Sequence, residues 1–102
     1  MPNITVNGAD FYYNLEGSGP PLVIICGSPA NHNFCPVFID EMRKNFSVLT
    51  FDNRGIGKTK DDGRELTAEL MATDTRLIIE KLGLENPKVI GISMGGAIAQ
   101  AL

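Results

Sequence analysis

Leu22-Val23-Ile24-Ile25-Cys26 is an unbroken apolar run, set off by the turn signal Gly17-Ser18-Gly19-Pro20 just before it. A strand with one face in water alternates apolar and polar residues. A run without a polar member needs cover on both faces, as the central strands of parallel sheets have. The surrounding sequence is consistent with that demand. Strands are expected at Ile4 to Val6 and Phe11 to Leu15, a short helix at Val37 to Lys44, and a second buried strand at Phe46 to Phe51.

A longer helix follows the polar, glycine-containing stretch Asp52 to Glu65, which reads as a loop. Thr67 is placed to cap its start, Leu66 and Met71 are spaced as a hydrophobic staple, and Gly83 stands just past its end. Leu70, Met71, Leu77, Ile78 and Leu82 recur at helical spacing, with Asp74 interrupting the stripe. A carboxylate there needs a partner, and a hydrogen bond to a neighbouring loop is expected. Lys88 to Ile92 makes a last strand and Met94 onward the start of a helix. The order β-β-β-α-β-α-β-α argues for an α/β fold: a mostly parallel sheet with helices on both faces and ligand sites at the carboxyl ends of its strands. The loops after Cys26, Phe51 and Ile92 all fall at that edge. With no repeat, linker or low-complexity tract, residues 1–102 read as a single domain.

Apolar residues make up 43% of the chain and charged ones 21%, a globular balance. A formal charge of -3, with no run of like charge, supplies no electrostatic footprint for nucleic acid or an acidic membrane. Met1 to Glu16 lacks the basic and apolar pattern of a secretory signal, and no apolar run of about 18 residues could span a bilayer, so a cytoplasmic location is expected. Cys26 and Cys35 have neither metal-binding nor redox-pair spacing, and both are read as free thiols.

Chemistry concentrates in three segments. Gly91-Ile92-Ser93-Met94-Gly95-Gly96 joins a strand to a small-residue helix, so a serine there stands on a sharp turn; side chains in place of the flanking glycines would collide with strand and helix. Asp52-Asn53-Arg54-Gly55-Ile56-Gly57-Lys58-Thr59 and Gly27-Ser28-Pro29 each follow a strand. Together and in this order they resemble the α/β-hydrolase superfamily: the nucleophile elbow, the Asp-x-Arg-Gly-x-Gly-x-Ser loop, and the tail of the His-Gly-x-Pro oxyanion segment. The resemblance runs over essentially the whole chain and covers only the first portion of that fold, so the core is expected to be an incomplete one.

What it implies is acyl transfer. Ser93 attacks a carbonyl, the backbone N–H groups of Met94 and Ser28 receive the developing oxyanion, and Gly27, Gly91, Gly95 and Gly96 support the tight backbone. The substrate class is a carboxylic ester, thioester or lactone, with no metal or organic cofactor. A serine at the elbow disfavours the branches that use aspartate there, such as epoxide hydrolases and dehalogenases.

Two departures from the family pattern stand out. Cys26 occupies the position of its histidine, a weaker donor for bracing the oxyanion loop. In the family the triad acid and histidine follow the serine, yet nothing after Ser93 is acidic or a histidine. His32, the only histidine, is read as a loop or substrate-contacting residue. Asp52 and Arg54 are read as structural, the carboxylate holding loop N–H groups and the guanidinium bracing carbonyls. Gly57-Lys58-Thr59 is reminiscent of a phosphate-binding loop, but Asp52 stands where that motif has its first glycine, and an anion there repels phosphate. The alternative to an enzyme is a catalytically inactive chain that binds or pairs with a complementary segment, or that self-associates through an exposed, apolar sheet edge.

Overall fold

The computed structural model describes residues 3–26, 36–54, 59, 63, 67–92 and 94–102; within these, the side chains of Cys26, Pro36 and Met94 lie outside the description. Five strands and three helices follow one another as β1 (Asn3–Val6), β2 (Ala9–Glu16), β3 (Pro21–Cys26), α1 (Pro36–Met42), β4 (Ser47–Phe51), α2 (Ala68–Lys81), β5 (Lys88–Ile92) and α3 (Met94–Ala101). The sheet order is β1-β2-β4-β3-β5. β3 is parallel to both β4 and β5, β2 is antiparallel to β4, and β1 is antiparallel to β2. All strands except β2 therefore share one direction. The α/β architecture expected from the sequence is present.

β3 lies inside the sheet and answers to both of its faces. Val23 and Ile25 join Leu49 and Phe51 of β4, Phe11 of β2, Met71, Ala72 and Ile78 of α2, and Ile98 of α3 in one buried cluster. Leu22 and Ile24 point the other way and pack with Val48 and with Ile39 of α1. Period-two alternation thus sends successive residues of one apolar run to opposite layers, with α2 and α3 on one side and α1 on the other. Val23 and Ile25 are 0% exposed.

Local chemistry sets the element ends. Asn7 and Gly8 take φ of 50° and 78° between the paired residues Val6 and Ala9, the two-residue turn that matches strand twist. β2 begins earlier than periodicity implies because Asp10 accepts hydrogen bonds across the hairpin from Asn3 Nδ2 and Thr5 Oγ1, both at 3.1 Å. α1 starts at a proline, whose absent N–H costs nothing in a first turn. It ends at Met42, sooner than expected: the Asn45 and Phe46 amides both turn back to the Met42 carbonyl, and Phe46 packs on the α1-side cluster instead of opening β4.

α2 is capped as its sequence indicates. Thr67 accepts from the Leu70 amide at 3.0 Å. At the other end Gly83, at φ 70°, lets its own amide reach Glu80 O and the Leu84 amide reach Ile79 O, the paired closure of a Schellman motif. Leu66 of the expected staple lies outside the described residues. The buried stripe is Met71, Ala72, Asp74, Thr75 and Ile78, with Leu70, Leu77 and Leu82 only half-buried at its margins. Thr75 belongs inside because its hydroxyl bonds back to Met71 O at 2.8 Å, which leaves its methyl to pack.

Candidate active site

β3, β4 and β5 run the same way, so the loops after Cys26, Phe51 and Ile92 emerge at one edge. The register sets Cys26 beside Ile92 and Ile25 beside Gly91. Only position 93 separates the end of β5 from the start of α3. A strand can reverse into a helix over so short a link only if the helix passes close above the strand it has left.

Two glycines make that passage available. Alternation puts Val89 and Gly91 on the layer of α2 and α3, with Ile90 and Ile92 on that of α1. A Cβ on Gly91 would run into the Gly95 carbonyl oxygen and lie 2.6 Å from Gly96 Cα. One on Gly95 would run into the Ile25 carbonyl oxygen and lie 2.7 Å from its carbon. Both obstacles are backbone, which no rotamer change relieves. Gly96 differs, since a Cβ there would be 3.9 Å from Gly91 O, an ordinary contact. The elbow thus rests on Gly91 and Gly95, and α3 is held down through Ile98, 0% exposed. Met94, first residue of α3, has an amide with no acceptor inside its own helix.

The start of the loop after β4 is anchored by a buried ion pair. Arg54 donates through Nε to Asp74 Oδ2 at 3.0 Å and through Nη2 to Asp74 Oδ1 at 2.8 Å. Nη2 also reaches the Asn7 carbonyl at 2.9 Å, while Asn7 Nδ2 donates to Asp74 Oδ1 at 2.8 Å. The guanidinium stands over the Phe11 ring, 5.7 Å from its centre. Both ionic side chains are sealed from water, at 0% and 1% exposed. This bidentate fork is the partner Asp74 needed, and it joins the loop to the middle of α2 and to the β1–β2 turn. Further along, Thr59 is buried, and its hydroxyl accepts from the Tyr12 amide at 3.0 Å. The Asp52 amide donates to Tyr12 O at 2.9 Å, so β2 holds the loop at two points after β4 has ended.

Of the residues singled out from the sequence, Gly91, Gly95 and Met94 come together at the elbow, with Gly96 beside them. Ser93, Ser28, Gly27, His32 and Cys35 lie outside the described residues. Asn7 and Thr59 carry contacts that sequence reasoning passed over. The Asn-Gly pair signals a tight turn, but nothing local reveals that this turn abuts Arg54. Among the described residues no group of three or more His, Cys, Asp or Glu side chains is placed to hold a metal ion, and no helix is long and apolar enough to cross a membrane.

A sheet of this order with a glycine-supported strand-to-helix elbow defines a class, and the chain belongs to it: a family model of the alpha/beta hydrolase fold matches residues 20–102. Among curated relatives, BpoC of Mycobacterium tuberculosis strain H37Rv, provisionally named a non-heme bromoperoxidase, is 37% identical over 92 residues, 88% of this chain and 35% of that one. A soluble epoxide hydrolase of Corynebacterium sp. strain C12 is 33% identical over 94 residues, 92% of this chain and 33% of that one. Among solved structures, the epoxide hydrolase CorEH superposes with a TM-score of 0.94 at 31% identity, covering 98% of this chain and 35% of that one. An esterase from Exiguobacterium antarcticum gives 0.87 at 33% identity, covering 95% and 37%. The chain spans about a third of the length of the relatives it matches.

Proposed function

We propose that residues 1–102 carry the nucleophile and oxyanion-binding part of a serine hydrolase that acts on a carboxylic ester, thioester or lactone. The observation that supports this most is the seat of α3: Gly95 against the Ile25 backbone and Gly91 against Gly95, with a serine as the one residue between β5 and α3. In this reading Ser93 Oγ attacks the substrate carbonyl and passes its proton to a general base. The carbonyl oxygen becomes negative and is received by the amides of Met94 and Ser28, each such donor being worth about 3 to 4 kcal/mol in sites of this kind. Collapse expels the protonated alcohol or thiol, or opens the lactone ring, leaving an acyl group on Ser93 that water then removes. The chemistry calls for no cofactor, and His32 serves as a substrate contact.

The base is the point on which a second reading turns. Ser93 needs a proton acceptor, and the second reading is a chain that stays inactive unless a complementary segment supplies one. One comparison separates the two. Purified 1–102 and its Ser93→Ala variant are incubated with p-nitrophenyl acetate, and a fluorophosphonate probe is mapped by mass spectrometry. The acyl-enzyme reading expects faster turnover by the unmodified chain and a label on Ser93. Equal rates and no label would sink it for this chain.

A further inference from the structure

Asn7-Gly8 is the only asparagine-glycine pair in the chain, and it forms the tight turn between β1 and β2. In such a pair the glycine has no Cβ to shield its amide nitrogen from the asparagine side chain before it. Attack of that nitrogen on Asn7 Cγ closes a five-membered succinimide. The Cγ–Nδ2 bond breaks, and Nδ2 departs as ammonia with the proton that the Gly8 amide gives up. Water then opens the ring. Opening at Cγ leaves an aspartate at position 7; opening at the main-chain carbonyl leaves an isoaspartate, whose backbone is one atom longer. In sum a water is consumed and an ammonia released, and release of ammonia makes the change one-way.

In the folded chain both reacting parts are held. Asn7 Nδ2 donates to Asp74 Oδ1 at 2.8 Å, and the Asn7 carbonyl accepts from Arg54 Nη2 at 2.9 Å. Asn7 is half-buried and Gly8 exposed, while the Arg54–Asp74 fork that grips Asn7 is sealed from water. Ring closure draws Nδ2 away from Asp74, so it waits on local opening of the turn. We infer that Asn7 is a site of spontaneous deamidation held in check by the Arg54–Asp74 fork, and that its conversion to an acid loosens that fork permanently. The second half follows from charge and length. An aspartate at position 7 sets a carboxylate where an amide donor met Asp74, so two like charges compete for one guanidinium. An isoaspartate lengthens a turn that the Val6 to Ala9 pairing fits to two residues, and makes the carbonyl that received Arg54 part of a carboxylate.

The test follows the mass and elution of the proteolytic peptide containing Asn7 after 1–102 is incubated at neutral pH, folded or in denaturant. Conversion is expected in the denatured chain and at least about tenfold slower in the folded one, the protection that local opening imposes. Arg54→Met with Asp74→Leu removes the grip and should raise the folded-state rate toward the denatured value. Asn7→Asp, which installs the acid directly, should lower the folding equilibrium constant by about tenfold in a urea titration. Equal rates in folded and denatured chain, or conversion in neither, overturn the inference. So does a folded double variant that converts as slowly as the unmodified chain, or an Asn7→Asp variant as stable as that chain. Should the double variant fail to fold by circular dichroism, the folded-against-denatured comparison on the unmodified chain decides. None of these readouts involves Ser93, so the outcome is separate from that of the hydrolase reading.

Discussion

At Gly91 and Gly95 the absence of a side chain is the structural requirement. The nearest atoms to a Cβ at either position belong to backbone, of Gly95 in one case and Ile25 in the other. Gly95→Ala should therefore push α3 off β3 and cost about 1–3 kcal/mol or more, the range for overpacking a tight site. Gly96→Ala has room, and an alanine in a helix interior is favoured over glycine by about 1 kcal/mol, so this variant should be neutral or mildly stabilised. Urea titration of the two variants side by side checks the contrast, and equal destabilisation would remove the steric account of the elbow. All three glycines were marked by the sequence motif. That two are obligatory and one is not depends on where β3 passes, which no local pattern contains.

Among the elements, α2 shows how far a helix can be read locally and where that reading stops. Its ends follow from Thr67 and Gly83 acting on their own neighbours. Thr67→Ala should cost about 1 kcal/mol in a thermal or urea melt, the usual loss of a threonine cap. Asp74 is another matter, because its meaning resides on two other elements. Asp74→Ala removes a buried counter-charge from the Arg54 guanidinium and should destabilise by about 3–5 kcal/mol. Replacing both partners, as Arg54→Met with Asp74→Leu, should cost clearly less than the two single changes added together. A double-mutant cycle by urea denaturation measures that difference, and simple additivity would show that the fork carries no coupling. Periodicity flagged Asp74 as out of place on an apolar stripe; only the fold shows Arg54 and Asn7 meeting it.

Across the whole molecule, order within the sheet should translate into graded stability. β3 has strands on both sides and helical layers on both faces, whereas among the described residues β1 and β5 each have a single neighbour. Amides of Val23 to Ile25 should exchange only on global unfolding, while those of β1 open at lower free energy. Native-state hydrogen exchange with increasing denaturant would reveal this, and exchange of β3 as fast as that of β1 would contradict it. The chain's own pattern determined the class of fold: an all-apolar run admits few environments, and alternation of strands with helices leaves little but a two-sided sheet. It also supplied the elbow and its glycines, since a tight turn leaves its demands in consecutive residues. Tertiary structure alone decided that β4 lies between β2 and β3, that Gly95 rests on Ile25, and that Arg54 closes on Asp74 and Asn7. Those contacts join residues far apart in the chain, so their energetics are fixed by how layers stack rather than by any neighbour in sequence.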